Sequence, residues 1–379
     1  MDRERILTAF DRFVAENLFQ RRAPAPLVPV EDDSVLFTNA TITPLKKLIA
    51  SSAVPSPGCA VTQRCLRLQN LKHLCDTRYQ PEYMSHFQMI GLLISEHGRG
   101  SLSRFVSGFF HSVFQLAMNR LQIAAAESEN DIVALLGWTR HEYERIDLPS
   151  SMRWNYGMSG VSGRGIDFRV RCGNGQYCSI GQLVEVTNCG LVVGYEVGFG
   201  LETSAARISG IVSPFAASEI ASYLAYRDDS LWLQLMDVIS ALVVLYANGI
   251  HSSQTSRGSV ARKLLRVAPM LASRCGQQQI SLCEVASQYL SQIGPECDSS
   301  SLVQGLKASW AARDLALSRL TQFVHNTARL AKAGCLCHDD AIERINRYAQ
   351  YLNRVWPEEV QELLITSGLA KPEAAHCSI

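Results

Sequence analysis

Gly198-Phe199-Gly200-Leu201-Glu202-Thr203 follows directly on the β-rich run Leu191 to Val197, and this junction decides the reading of the chain. Two glycines one residue apart let a strand turn tightly into a helix, and they let backbone approach a ligand that any side chain would obstruct. A purely structural turn needs the same residues. The meaning of the pair therefore rests on what surrounds it.

Upstream, from Val35 to Gly210, short β-rich runs alternate with loops and a few helical stretches. These runs are Ser34 to Phe37, Ala60 to Leu66, His86 to Ile94, Ile166 to Arg171, Gln182 to Thr187 and Leu191 to Val197. That pattern predicts an α+β domain with a largely antiparallel sheet. An amphipathic helix precedes it, with Ile6, Leu7, Phe10, Phe13, Val14 and Leu18 on one face and a Pro-rich turn, Ala23 to Pro29, closing it. Downstream of Ser213 strand signals stop. Helical spacing governs Ala216 to Tyr226, Leu231 to Asn248, Ser259 to Ser273, Ser281 to Ile293, Leu302 to Ala333, Asp339 to Tyr351 and Pro357 to Ser367. The expected domains are residues 1–212, carrying the sheet, and residues 213–379, all helical, meeting between Ile211 and Ser218.

Composition narrows the class of function. Lys and Arg number 36 against 35 Asp and Glu, and 47% of the 379 residues are hydrophobic, which reads as a globular protein of two domains and argues against wholesale coating of nucleic acid. Twelve cysteines are scattered through apolar and helical stretches with no secretory signal before them, so reduced thiols in a cytoplasmic protein are expected. The apolar run Leu231 to Ala247 is broken by Gln234 and Asp237 and reads as a buried helix, with no membrane partner. Cys335-Leu336-Cys337-His338 lacks a second pair of knuckles at metal spacing, so no metal site is expected. Neither a Ser-His-Asp order nor an HExxH helix points to hydrolysis.

Read in order, five segments carry a resemblance. Leu27-Val28-Pro29, Asp33 to Ala40 (DSVLFTNA), Thr62 to Arg67 (TQRCLR), Phe87 to Gly91 (FQMIG) and the Gly198 junction together resemble alanyl-tRNA synthetase. The similarity continues through Ala247-Asn248-Gly249-Ile250 into Arg257 to Lys263, like the family's tRNA-recognition helices. It implies a class II aminoacyl-tRNA synthetase catalytic domain followed by a helical domain, with the editing and oligomerisation domains expected to be absent.

The resemblance also implies roles. Such an enzyme joins an amino acid to ATP, with Mg2+, as an aminoacyl adenylate and passes the acyl group to an acceptor. Catalysis is positioning and charge stabilisation more than acid–base chemistry. Arg67 takes the place of the phosphate-binding arginine of the second motif, where a guanidinium fork suits phosphate oxygens. Phe87, Met89, Gly198 and Gly200 complete the expected ATP and adenylate site. Trp154, in Met152 to Gly157 (MRWNYG), would wall the amino-acid pocket, or equally sit in a core. Asn188, in Glu185-Val186-Thr187-Asn188, stands for an asparagine that hydrogen bonds the substrate. Two residues on, Gly190 stands where a valine is usual, predicting a larger pocket. Glu196 takes the place of an aspartate that holds the substrate ammonium, one methylene longer.

Departures from the family cluster on the phosphate side. Thr203 replaces the arginine that ends the third motif, and losing such a charge costs about 3 kcal/mol, a hundredfold or more in rate. Arg207, one helical turn later on the same face, is the expected stand-in, reaching back over the glycine turn. Gln88 replaces a glutamate, and Leu68 to Leu71 replaces a glycine pair. Gly160, Gly163 and Asp167 keep the spacing of a glycine-rich stretch without its prolines and cysteines. In the helical half, Gln254 and Asn346 stand where an asparagine and an aspartate read the tRNA acceptor stem, which predicts altered or lost base reading. Arg257, Arg262, Lys263 and Arg266 would hold a phosphate backbone, or form a solvated helix face.

Two functions follow from this pattern. One is a ligase that activates alanine or another small amino acid and transfers it to tRNA or to a small-molecule acceptor in a specialised pathway. The other is a catalytically inactive pseudo-synthetase that binds RNA or protein.

Overall fold

The computed structural model describes residues 2–30, 35–139 and 141–371. Two compact units divide the chain, one comprising Met1–His73 with Arg78–Ala241, the other Leu74–Thr77 with Leu242–Ile379. The first unit thus extends well past the segment Ile211 to Ser218.

The first unit is built on nine strands. These are β1 (Gln20–Arg21), β2 (Gly58–Leu66), β3 (His86–Ser95), β4 (Leu121–Ala125), β5 (Glu144–Asp147), β6 (Met152–Asn155), β7 (Val161–Arg171), β8 (Tyr177–Asn188) and β9 (Leu191–Gly200). Their order is β1-β2-β3-β9-β8-β7-β4-β5, with β6 also on β7. The central pairings are antiparallel, and the outermost, β1 with β2 and β4 with β5, are parallel. Five predicted runs lie in strands. The sixth does not: Val35, Leu36 and Phe37 form irregular backbone, and Ser34 lies outside the described residues.

Among the described residues, five α-helices accompany the sheet: α1 (Arg3–Glu16), α2 (Lys46–Ala50), α3 (Leu102–Gly108), α4 (Asn130–Leu135) and α5 (Leu201–Ile208). Alternation along β9 shows how the sheet divides its duties, because successive side chains point to opposite faces. Tyr195, Val197 and Phe199 are buried in the larger core with Phe10, Phe110 and Phe168. Phe199 stacks on Phe109 at 4.9 Å and meets Phe114 edge-on at 4.9 Å. Glu196, Gly198 and Gly200 face the other way, toward two cavities.

A hairpin with a fault sets the register of β8 on β9. Cys189 and Gly190 both have positive φ, 48° and 81°, the geometry of a two-residue type I′ turn. Next to it Asn188 pairs with Leu191 and Thr187 with Val192, but Val186 then pairs with Gly194. One extra residue on β9, Val193, shifts every later pair by one and so exchanges the faces.

Beyond α5 the chain makes two short 3-10 turns, Pro214–Ala217 and Glu219–Ser222, in place of one helix from Ala216 to Tyr226. Then α6 (Ser230–Ala247) runs from the first unit into the second. By length and composition this is a helix apolar enough to cross a membrane, but 83% of it is buried within the protein. Its interior polar groups are satisfied: Asp237 accepts from Asn70 Nδ2 at 2.8 Å and from Ser85 Oγ at 2.6 Å.

The second unit contains α7 (Ser256–Arg274), α8 (Gln279–Ile293), α9 (Ser300–Lys332), α10 (His338–Leu352) and α11 (Pro357–Thr366). Residues three and four apart supply its seams. Leu320, Val324 and Ala328 of α9 meet Ala341, Ile345 and Ala349 of α10 and Val360 and Leu364 of α11. Trp356, 1% exposed, donates from Nε1 to the Met270 carbonyl at 3.1 Å.

Candidate functional site

Two adjoining cavities open on the Glu196 face of the sheet. The first, about 570 Å3, is lined by Asn39, Thr43, Lys46, Trp154, Tyr156, Val184 and Glu196 among others. The second, about 330 Å3, is lined by Tyr83, Met84, Phe87, Ser179, Gly200, Glu202 and Thr203 among others. Arg67, Met89, Gln182 and Gly198 line both. A ligand spanning the two would have its middle beside these four.

Arg67 leaves the end of β2 and is held in three ways. Its Nε donates to the Asn39 carbonyl at 2.9 Å, its Nη2 lies 3.8 Å from Met89 Sδ, and its guanidinium sits 4.9 Å from the centre of the Phe87 ring. Nη1 has no protein partner among the described residues. A guanidinium fixed on one edge and open on another is suited to an oxyanion.

Glu196 forms the floor of the first cavity. Thr41 Oγ1 donates to its Oε1 at 2.9 Å and the Tyr156 hydroxyl to its Oε2 at 3.2 Å. Glu196 is 8% exposed, and burial raises its carboxyl pKa above the ordinary carboxylate range, opposed by the two hydroxyl donors and Arg67. Each oxygen keeps a further acceptor site, so a cationic amine fits above it. Gly163 makes this arrangement possible, since a Cβ there would lie 2.9 Å from the Tyr156 hydroxyl and 2.7 Å from Val184 Cγ1.

Gly198 and Gly200 serve by being empty rather than by bending. Neither has a positive φ, and Gly200 sits at φ −72°, ψ 123°, open to any residue. The strand runs straight to Gly200 and α5 begins at Leu201, so no tight glycine turn is formed. A Cβ on Gly198 would stand 3.5 Å from Met89 Cε and 3.9 Å from Glu196 Oε1, in the space the two cavities share.

Three expected site residues lie elsewhere. Asn188 closes the β8–β9 hairpin, where its Nδ2 donates to the Ala50 carbonyl at 3.0 Å. Gly190 occupies the exposed turn because both turn residues need positive φ. Cavity-facing positions on β8 are instead Gln182, paired with Gly198, and Val184, paired with Glu196. Since Val184 lines the first cavity, the larger pocket expected from Gly190 does not follow. Arg207 does not reach over the glycines. It is 1% exposed, with Nε donating to the Val212 carbonyl at 3.1 Å, Nη1 donating to the Ser179 carbonyl, and its guanidinium 4.9 Å from the centre of the Tyr83 ring. Thr203 itself lines the second cavity, half-buried in the first turn of α5.

Carboxylates near the second cavity are engaged. Glu202, 3% exposed, lies 3.2 Å from Arg3 Nε and accepts from the Gln88 backbone N–H at 3.0 Å. Arg3 also pairs with Glu219 at 2.8 Å, and Arg64 with Glu219 at 3.0 Å, so α1 is clamped to the start of α5. The two arginines hold Glu219 down at about 2 despite burial.

In the second unit Gln254 is exposed in the loop before α7 and Asn346 is exposed on α10. Arg262, Lys263 and Arg266 fall within roughly 100° of the α7 circumference at ~100° per residue. Arg257 lies on the packed side with Gly258, Ala261 and Leu265. Cys335 and Cys337 are exposed, and His338 Nε2 donates to the Leu369 carbonyl at 2.6 Å. Among the described residues no three His, Cys, Asp or Glu side chains converge as a metal site.

Sequence reasoning missed Gln182, Val184, Thr41 and Tyr156. Counting back from the hairpin in steps of two would have pointed toward β8, but the residue inserted at Val193 would have placed Leu183 opposite Glu196.

No family model matches the chain. The alanine–tRNA ligase of Tropheryma whipplei (strain Twist) is 23% identical over 313 residues, covering 72% of this chain and 35% of that protein. That of Halorhodospira halophila is 25% identical over 309 residues, covering 71% and 36%. That of Sulfurimonas denitrificans is 24% identical over 336 residues, covering 76% and 38%. The chain thus spans about a third of the length of these relatives. With its α+β sheet unit followed by helices, it is an alanyl-tRNA synthetase-like protein.

Proposed function

We propose that the protein activates a small amino acid with ATP and transfers the acyl group to an acceptor. The observation that carries this reading is the junction of two cavities at Arg67 and Gly198, with the Glu196 carboxylate at the floor of one. Glu196 holds the amino group, which aims the substrate carboxylate at the shared wall. There a carboxylate oxygen attacks the α-phosphorus, the bond to the bridging oxygen of the β-phosphate breaks, and pyrophosphate leaves. Arg67 absorbs charge on the α-phosphate as it develops, while Tyr83, Phe87 and Met84 offer flat and apolar surface to the base. Mg2+ accompanies the triphosphate. Glu202, the one carboxylate among the described residues lining the second cavity, would join its coordination only by releasing Arg3 or the Gln88 N–H.

The acceptor is a hydroxyl, of tRNA or of a small molecule, attacking the mixed anhydride and expelling AMP. Arg262, Lys263 and Arg266 on one arc of α7 would meet an RNA backbone. Domains divide in this proposal as catalytic sheet and acceptor-recognising helices.

Amino-acid-dependent exchange of pyrophosphate into ATP, across a panel of amino acids, tests the reading. Exchange with one small amino acid is expected, and silence with all of them at high protein concentration refutes it. Thr203 and the burial of Arg207 favour the second reading, a pseudo-synthetase that binds partners without catalysis. That reading predicts no rise in melting temperature with ATP plus amino acid, and a rise that Arg67→Ala abolishes excludes it.

A further inference from the structure

Arg207 presents a problem of energetics. Its guanidinium is among the largest fully buried side chains in the protein, and an apolar residue of similar size would be buried at less cost. Nor is the charge neutralised on the spot. Its nearest carboxylate is Glu82, 3.5 Å away on a side chain 66% exposed, and the closer partners are the neutral carbonyls of Ser179 and Val212. Asp167 lies beyond Ser179, accepting from the Ser179 hydroxyl at 2.5 Å and already paired with Arg169 at 2.8 Å.

Of the groups Arg207 touches, Tyr83 and Ser179 line the second cavity and Val212 leads into it. Tyr83, whose ring the guanidinium covers and whose hydroxyl lies 3.5 Å from Nη1, lines it from the irregular segment between β2 and β3. Ser179 lines it from β8 and is gripped from both sides, its carbonyl by Arg207 and its hydroxyl by Asp167. Val212 fixes the chain after α5 two residues before Pro214, the third lining segment. Two of these segments are outside the sheet and have no ladder to hold them. One side chain thus touches three parts of the wall, from the segment before β3, from β8 and from the chain after α5.

We propose that Arg207 is a positioning residue for the ligand of the second cavity. It clamps Tyr83, Ser179 and the Val212–Pro214 segment into a single wall and places a fixed positive charge behind it. Resting on the ATP reading above, that ligand is the nucleotide, an aromatic base joined to an anion, which suits a tyrosine face backed by a cation.

Arg207→Lys keeps the charge and loses the fork, Arg207→Met loses both, and Tyr83→Leu removes the clamped ring. Titration of the full chain with ATP and, separately, with the activated amino acid reads the effect. Arg207→Lys is expected to weaken ATP about tenfold and Arg207→Met more, with amino-acid affinity within twofold of the unaltered protein. KM for ATP should rise more than kcat falls. Variants that melt earlier yet bind ATP unchanged would show Arg207 to be structural only and overturn the proposal.

Hydrogen exchange supplies the arm that does not depend on nucleotide. In Arg207→Lys, amides around Tyr83, Ser179 and Val212 should lose protection together while β3 keeps its own. Unchanged protection in all three segments overturns the clamp. An unaltered protein that binds no nucleotide overturns the ATP reading, and the exchange result alone then decides whether the clamp exists.

Discussion

Glu196→Gln sets the site's chemistry against its stability. In the folded protein each carboxylate oxygen takes one hydroxyl, from Thr41 and from Tyr156, at 2.9 and 3.2 Å, leaving one acceptor on each for a bound ammonium. Glutamine fills the same space, but it removes the negative charge and turns one oxygen into an N–H2 donor. A hydrogen bond to a charged group contributes about 1.5–3 kcal/mol and a neutral one about 0.5–1.5. Losing the charge and one acceptor together should cost about 2–3 kcal/mol, a weakening of amino-acid binding of about 30- to 150-fold. Stability should move the other way. Burial raises the pKa of Glu196, so the folded state binds the proton more tightly than the unfolded chain, and stability falls as pH rises through the folded pKa. The permanently neutral glutamine escapes that penalty, and its melting temperature at neutral pH should exceed that of the unaltered protein. Calorimetric titration with the amino acid found by pyrophosphate exchange, beside melting curves from acid to neutral pH, reads both quantities. Amino-acid affinity unchanged in Glu196→Gln would refute the assignment of the ammonium to this carboxylate.

Other predictions follow from neighbouring contacts. Gly163→Ala places a methyl 2.9 Å from the Tyr156 hydroxyl, and should displace it from Glu196 and weaken amino-acid binding about tenfold, the worth of one charge-assisted hydrogen bond. Equal affinity in that variant would mean that Tyr156 is dispensable. Thr203→Arg restores a cation to the wall of the second cavity and should tighten ATP by tenfold or more at about 1.5–3 kcal/mol for a charge-assisted contact, measured as KM for ATP in the exchange assay. His86 is held near 3, well below its usual 6.5, by burial and by the Arg64 and Arg3 charges, against the pull of Glu219. It stays neutral in the folded protein while the unfolded chain gains a proton, so stability is full above pH 6.5 and is lost as pH falls toward 3. His86→Gln should remove the part of that loss between pH 6.5 and 4.5, above the window in which Glu219, at about 2 against 4.5, contributes. Urea melts of the two proteins at those pH values give the comparison.

Much of the fold was legible because it rests on local periodicity. Six helices after Ser230 and five of six expected strands lie where apolar spacing puts them, since each element buries a continuous face. Strands β4, β5 and β6 are short and lie toward the edge of the sheet, where neighbours rather than sequence decide the conformation. In the site, Arg67, Trp154, Glu196, Phe87, Met89, Gly198 and Gly200 do line the cavities. Asn188 and Gly190 misled because they close the β8–β9 hairpin, while the positions of β8 that face the cavities are Gln182 and Val184, six positions earlier. Only pairing could reveal that, and pairing turns on the residue inserted at Val193. Arg207 misled for another reason. Its helical phase matches Thr203, but a long side chain near a helix terminus has carbonyls to satisfy, and those of Ser179 and Val212 outcompete an open cavity.

The division of β9 between two faces ties the candidate site to folding. Tyr195, Val197 and Phe199 are sealed in aromatic packing, while the alternate residues are the wall of the site, so the wall exists only where the core has closed. A conservative change such as Phe199→Leu, remote from any ligand, should therefore behave kinetically as a site mutation. Conversely, a ligand bound above Gly198 adds its binding free energy to the closed state, and the slowest-exchanging amides of the molecule should report occupancy from the centre of the sheet outward.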